Sequence, residues 1–470
     1  MDVRRSLSVA VLLSAFAAVP AHAADTTFTI RGAGFGHGVG MSQYGALGAA
    51  QKGWNHRQIL GHYYSGTAIG QADSRKVRVL LATSRTATFS GATSAGGRRL
   101  RADRVYGARA RGAAVDLVNA RGKRLKTVAA PLVVKARTPI ALRNRGTYRG
   151  ALEFRPNGSN VDAINAVGLE SYVKGVVPVE SPASWPLEAL KAQAVAARTY
   201  AITTSKPGAG YDQYADTRSQ VYGGVNVEQP SSNQAVSETK GEVVTYQGSP
   251  VVTFFFSTSG GRTEAVENTT LGTRPLPWLK SVDDPFDSVS PKHRWGPIRM
   301  SLGSAGRKLG SLVKGRFRGI EVVARGASPR IVAADVVGTG GRTRVNGATL
   351  RARFGLMDSW AYFTSISTGE EEEPAPDEEE PEEGPPTGGA GPASASAARQ
   401  SSTHNLAGHI IGARKGAKAV VEIDTMVGWR RAGTATIRRG GAYRFGLCTT
   451  GTYRVRVGKA TGPVVRVPKL

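Results

Sequence analysis

The longest stretch of helical periodicity lies at Trp185–Thr204, where Leu187, Leu190, Ala194, Ala197 and Ala201 recur at intervals of three and four. That spacing places them on one stripe, and the interspersed alanines let neighbours approach closely. The pattern predicts a buried helix, capped by Ser184 with Pro186 in its first turn. A second helical signal covers Leu169–Val176. Around these segments the pattern shifts to short β-prone runs. Val77–Ala82, Leu125–Val134 and Tyr148–Phe154 read as strands, and Glu242–Tyr246 and Val251–Phe256 as a hairpin turning at Gln247–Pro250. Past Thr368 the periodicity stops: Thr368–Arg399 is an acidic run followed by Pro, Gly, Ala and Ser, the composition of a self-repelling linker. Short β-prone runs return at Ala419–Ile423, Thr434–Arg438, Tyr443–Leu447, Tyr453–Val457 and Val464–Val467. The expected fold class is α+β, a strand-rich domain with one buried Ala-rich helix, plus a small all-β sandwich-like C-terminal domain. The expected boundaries are 24–366, a linker at 367–403, and 404–470.

Residues 1–23 follow neither pattern. Arg4 and Arg5 precede the apolar run Leu7–Val19, and Ala21-His22-Ala23 supplies a small-x-small cleavage site, so this segment reads as a secretory signal. No later apolar run approaches the ~18 residues of a membrane span. The expectation is a secreted protein of the cell wall or extracellular space, with no membrane span after cleavage.

Charge narrows the partners. Lysine and arginine total 62 against 35 acids, a net charge of +27, and ten of those acids fall within Glu370–Glu383. So basic a body expects a polyanion. On an exported chain that favours anionic cell-wall polymers and disfavours nucleic acid. Cys448 is the single cysteine, which excludes an intramolecular disulfide and a cysteine zinc cage.

Three features carry candidate chemistry. Glu180 is a lone carboxylate among Val, Pro and Trp, where apolar surroundings raise a pKa toward what a general acid requires; a carboxylate capping a turn is the plain alternative. Lys191 and Arg198, seven residues and about two turns apart on the buried helix, need anionic or polar partners. Those are either substrate groups or structural ion pairs such as Glu188 with Lys191. Glycines at 32, 34, 36, 38 and 40 alternate, which predicts an extended strand with one bare face open to another chain or a sugar ring. His37 would then share the other face with Ala33, Phe35, Val39 and Met41, either as a hydrogen-bonded core histidine or toward substrate. The frame never satisfies G-x-G-x-x-G, so a dinucleotide site in this block is excluded. Ser171-Tyr172-Val173-Lys174 fits S-x-x-K, but so does Ser311-Leu312-Val313-Lys314, and no Lys-Thr-Gly follows. A serine peptidase is not supported.

The stretch Leu169–Glu180 followed by Pro182–Tyr200 resembles the stage II sporulation protein D (SpoIID/LytB) family of envelope lytic transglycosylases and amidase enhancers. Gln220-Val221-Tyr222-Gly223-Gly224, Phe255–Glu264 and, more weakly, Leu350–Leu356 agree with it. The resemblance spans roughly residues 28–366. It implies that Glu180 is the catalytic acid with Lys191 and Arg198 in its cleft, and that Gln220, Tyr222, Ser257, His37, Ser42 and Gln43 contact substrate. Some members hold zinc with cysteines in the stretch matching Tyr211–Gln220; here Tyr214 and Ser219 stand there, so no metal or other cofactor is expected. The family's Gly-His-Gly-Val-Gly-Met-Ser-Gln block normally closes the domain, whereas here it is Gly36–Gln43, which implies a circular permutation. The implied activity is cleavage of the MurNAc–GlcNAc bond of peptidoglycan glycan strands, with or without stem peptides, leaving 1,6-anhydro-MurNAc ends. The alternative is a non-catalytic wall-binding enhancer of a partner N-acetylmuramoyl-L-alanine amidase.

Overall fold

Lys76–Ser84, where buried and open positions alternate, pairs along its length with the more continuously buried Asn160–Gly168 in the largest sheet. The computed structural model describes residues 26–205 and 208–367, then 404–409, 416–425, 428–437, 442–447, 451–457, 460–461 and 465–467. The expected signal segment lies outside the described residues, as does nearly all of the expected linker. The seven-stranded sheet runs in the order Gln213–Tyr214, Lys76–Ser84, Asn160–Gly168, Ala151–Asn157, Leu132–Lys135, Ser94–Ala95, Arg98–Arg99. A six-stranded sheet runs Arg124–Ala129, Ala114–Asn119, Tyr106–Arg111, Ala87–Ser90, Ile140–Leu142, Gly146–Tyr148. Val79, Phe154 and Val161 from the first sheet and Phe89 and Leu117 from the second share one core, with the Phe89 and Phe154 rings stacked 5.4 Å apart. The continuous Leu125–Val134 run is in fact two strands divided around Pro131, which cannot donate to a ladder.

Seven helices are described: α1 (Gln43–Gln51), α2 (His56–Tyr63), α3 (Leu169–Glu180), α4 (Leu187–Thr203), α5 (Pro230–Glu238), α6 (Leu302–Leu309) and α7 (Gly347–Phe354). None of the described helices is long and apolar enough to cross a membrane. Helix α4 is buried almost all round, as its alanines foretell, with Leu190, Ala194 and Ala197 in the sheet core and Ala192, Val195 and Ala196 in a second core with α1 and α2. Its cap differs from expectation. Pro186 occupies the N-cap position without a side-chain bond, and Ser184 lies outside it. Helix α3 runs four residues further than its apolar period, through Pro178, so Glu180 is its last residue rather than part of a loop.

Two other expectations are corrected. The 242–256 hairpin has only Ser249–Pro250 as its returning arm; the chain then leaves, and Phe255–Phe256 pairs in parallel with Met41–Ser42. The glycine block is not an extended strand. After the strand Thr26–Ala33, Gly34, Gly36, Gly38 and Gly40 all have positive φ, at 79°, 132°, 87° and 77°. A side chain at Gly38 would collide with the Arg330 guanidinium and one at Gly40 with the Phe254 carbonyl. The bare backbone therefore admits another part of the same chain. Arg330, itself buried, is paired with Asp358 through Nε and Nη2 at 2.9 and 2.8 Å.

The described residues between 29 and 363 form one compact unit, and the described residues from 364 on fall outside it. The described C-terminal residues are all β. Gly428–Thr436, Lys418–Thr425, Gly451–Val457 and Ala460–Thr461 line up in one sheet, with Val465–Val467 also on Gly451–Val457, and His404–His409 pairs Ala442–Leu447 in another.

Candidate active site

Glu180 ends α3, where the helix presents its unpaired carbonyls. A partial negative charge at that terminus disfavours a carboxylate. Burial pushes the Glu180 pKa above the ordinary carboxylate range. Two neutral donors pull part of the way back, the Val221 backbone N–H to Oε1 at 3.0 Å and the Gln43 side-chain amide to Oε2 at 3.3 Å. The group is thus held toward its protonated form yet keeps partners that accept its ionised form. That is the double duty of an acid that later becomes a base.

Each neighbour is set by an ordinary structural rule. Ser42 caps α1 by accepting the Gly45 N–H at 3.1 Å, which fixes where the first helical position falls. Gln43 stands there. Behind it the Gln193 carbonyl oxygen accepts from Gln43 and from Ser181 Oγ, both at 3.4 Å, and the Gln193 Nε2 has no partner. Tyr200 stands close enough that Glu180, after burial, adds to the raised pKa of its hydroxyl. Tyr44 meets Trp185 edge to face at 5.1 Å, and the Tyr44 N–H donates to the Ser257 carbonyl at 3.0 Å. The Gly36–Gln43 block, Ser257 and Glu180 are therefore brought together, as the permutation requires.

The two expected cleft cations are not there. Arg198 is 0 % exposed. It forms a two-point bridge to Glu170 at 2.9 and 2.8 Å and donates to the Glu242 and Val236 carbonyls. Lys191 sits between Glu188 and Glu238, each at 2.7 Å. Geometry explains the difference. Lys191 and Arg198 lie two residues before Gln193 and Tyr200, which is about 200° around the helix axis. One stripe of α4 therefore faces acids on the far side while the other faces Glu180. No cation opposes the upward shift of the Glu180 pKa among its causes.

Other expected contacts are also structural. The His37 Nδ1 accepts from the Val39 N–H at 3.1 Å, so the proton sits on Nε2, which donates to the Phe255 carbonyl at 3.0 Å. Both nitrogens are used, and burial lowers the pKa to about 4, leaving a neutral packing histidine. Ser42 is fully buried as a cap. Gln220 is buried between the Tyr172 hydroxyl and the Ala197 carbonyl, both at 3.3 Å. Tyr222 donates to Asn165 Oδ1 at 2.7 Å with its ring against Tyr172. Gln220 and Tyr222 thus flank Val221 and aim its amide at Glu180, and positioning rather than contact is their visible role.

Sequence reasoning missed Gln193, Tyr200 and the Val221 amide. The first two carry a legible signal, polar groups seven apart on an otherwise alanine-rich helix; a backbone amide carries none. In the 211–220 stretch, the Tyr214 N–H donates to Ser219 Oγ at 3.1 Å and the Arg218 guanidinium stacks 3.8 Å over the Tyr214 ring. Among the described residues no three His, Cys, Asp or Glu side chains are grouped to hold a metal ion.

The family model described as Stage II sporulation protein (SpoIID) matches residues 157–246, the segment containing α3, α4 and the Val221 amide. An uncharacterized protein of Brachyspira hyodysenteriae is 42 % identical over 26 % of this chain and 34 % of its own length. The stage II sporulation protein D of Bacillus amyloliquefaciens is 30 % identical over 42 % of this chain and 60 % of its own length. The amidase enhancer of Bacillus subtilis is 44 % identical over 24 % of this chain and 15 % of its own length. The chain therefore spans between 15 % and 60 % of these relatives. The acid-bearing helix and the alanine-rich helix behind it thus lie within the residues, 157–246, that match the SpoIID family model, and it is over this part that the chain is similar to stage II sporulation protein D and to an amidase enhancer.

Proposed function

We propose that this chain acts on the bacterial cell wall, as a secreted peptidoglycan lytic transglycosylase with Glu180 as its single acid–base group. The protonated Glu180 donates to the bridging oxygen between MurNAc C1 and the next GlcNAc, and the C1–O bond breaks. The carboxylate so formed takes the proton from the same MurNAc's 6-hydroxyl, whose oxygen bonds to C1 and closes the 1,6-anhydro ring. No water is consumed, and Glu180 ends protonated as it began. The observation that carries this reading is the environment of Glu180: burial and a helix C-terminus favour the acid, while Val221 and Gln43 receive the anion. Ordinary glycosidases need a second carboxylate within ~5–9.5 Å, whereas this route asks for Glu180 alone.

A second reading is favoured by the amidase enhancer relative: a non-catalytic wall-binding protein that stimulates a partner amidase. Incubation with purified, peptide-stripped glycan strands separates the two. New anhydro-muramyl ends support the transglycosylase. Unchanged strands, together with faster stem-peptide release when an amidase is added, support the enhancer.

A further inference from the structure

Residues 76–155 contain nineteen lysines and arginines but only three acids, Asp103, Asp116 and Glu153. Five of these cations have carboxylate partners: Arg78 and Arg155 share Glu153, Arg101 meets Asp103, Arg111 meets Asp116, and Arg149 reaches Glu228. Many of the others converge where two sheet edges meet. The hairpin Ser94–Arg99 is outermost in the seven-stranded sheet and Arg124–Ala129 is outermost in the six-stranded one. The edges are joined by Arg98 Nη1 to the Leu125 carbonyl at 3.4 Å and Lys126 Nζ to the Gly96 carbonyl at 2.7 Å.

Arg98, Arg99, Lys123, Arg124 and Lys126 on this seam are all exposed, and no carboxylate bridges them among the described residues. Carbonyl oxygens hold two of the heads, Arg98 and Lys126, without neutralising them. Asp116, the acid among them, is already engaged by Arg111 and by Thr127 Oγ1.

We infer that this seam is a docking surface for a linear phosphodiester polymer of the cell wall. The inference rests on the cell-wall reading for the polymer's source; the seam's chemistry argues the rest. Guanidinium forks match phosphate oxygens in pairs. Charges repeated along rigid strands suit a chain better than a single ion. In the seven-stranded sheet the seam lies at the opposite edge from Gln213–Tyr214, which leads to the Val221 amide. Six inter-strand steps at ~4.8 Å separate them along the sheet, a path of roughly 29 Å. A polymer held there leaves the Glu180 cleft free for glycan. The simpler use of edge charge, preventing edge-to-edge pairing, makes a different prediction.

The test is equilibrium binding of the intact protein to synthetic poly(glycerol phosphate) over a range of salt. The variant Arg98→Gln/Arg99→Gln/Arg124→Gln/Lys126→Gln should bind at least about tenfold more weakly at low salt, with a log–log salt slope shallower by about three. A control with the same charge change elsewhere, Arg307→Gln/Lys308→Gln/Arg316→Gln/Arg318→Gln, should stay within about twofold of the parent. Equal weakening of both variants would show a whole-molecule effect and overturn the inference. So would a seam variant that aggregates without losing polymer affinity, which is the edge-protection outcome. Tighter binding of charge-matched duplex DNA, or equal binding of polyglutamate, would also overturn it. No glycan is cut in these measurements, so a failure of the transglycosylase reading leaves their outcome unaltered.

Discussion

The two ends of α3 hold a carboxylate each and treat it in opposite ways. Glu170, in the first turn, benefits from the positive helix terminus and receives both forks of the buried Arg198. Glu180, the last residue, meets the negative terminus, is pushed up by burial, and finds only neutral amides. The same side chain on the same helix is a structural anion at one end and a candidate proton donor at the other. Chemistry follows from which cations are withheld. The charge of this very basic molecule is kept off Glu180 because α4 turns its cations to the far side.

The sharpest way to break this comparison is Glu180→Gln. It preserves shape but delivers no proton, so formation of anhydro ends should fall by about 10²–10⁴ or more. Stability should not fall with it. An acid with a raised native pKa costs stability once the pH climbs above its unfolded value, so the variant should be as stable as the parent near pH 4 and equal or better near pH 8. Parent-like cleavage by Glu180→Gln would end the catalytic assignment.

Arg198→Met tests the other end. Removing one partner of a buried bridge strands Glu170 and two carbonyls, and denaturant unfolding should register a loss of about 3–5 kcal/mol. Adding Glu170→Leu should recover part of it. A loss under about 1 kcal/mol would mean the pair is a surface bridge in effect.

Gln43→Leu should act on titration more than on turnover. The amide favours the ionised carboxylate, so without it the Glu180 pKa rises further. The general acid then stays protonated to higher pH, and the alkaline limb of kcat/KM should move upward. A downward move would contradict the assigned sign.

The smallest effect belongs to Lys191→Ala, up to about 1 kcal/mol, because its bridges are partly open to water. It should also be pH-dependent. Burial pushes Glu188 up, but Lys191 and His56 bring it down overall to about 2. Its contribution is present above the unfolded value and is lost as pH falls toward 2. Parent and variant should converge there, and the kcat/KM alkaline limb should not move.

Much of this was legible in the residues. The intervals from Leu187 to Ala201 describe α4 well, because a helix buried all round leaves a dense apolar record. The Gly36–Gln43 block and Glu180 do meet through Gln43. The sense of the helix face was not legible: Lys191 and Arg198 have the same seven-residue spacing as Gln193 and Tyr200, and only the packing of α1 and α5 decides which pair looks at Glu180. The glycine alternation also misled. Period two is the mark of a strand, but four positive φ values in that block are a loop whose spacing is set by what lies against it. The end of α3 was hidden for a similar reason, since Pro178 reads as a stop but is accommodated in the last turn.

The loop that delivers Gln43 has a further consequence for the order in which the molecule takes shape. The Gln43–Glu180 contact bridges 137 positions, and the Trp295 indole bonds the Gly34 carbonyl across 261. Helices α3 and α4 form from near neighbours, whereas the glycine loop is seated only when Arg330 and Asp358 arrive from far along the chain. Closures of that length are late and slow events. Until they occur, Glu180 is an ordinary wet glutamate with an ordinary affinity for its proton. The raised proton affinity of Glu180 is thus acquired at the end of folding, and a half-folded molecule carries the residue without it.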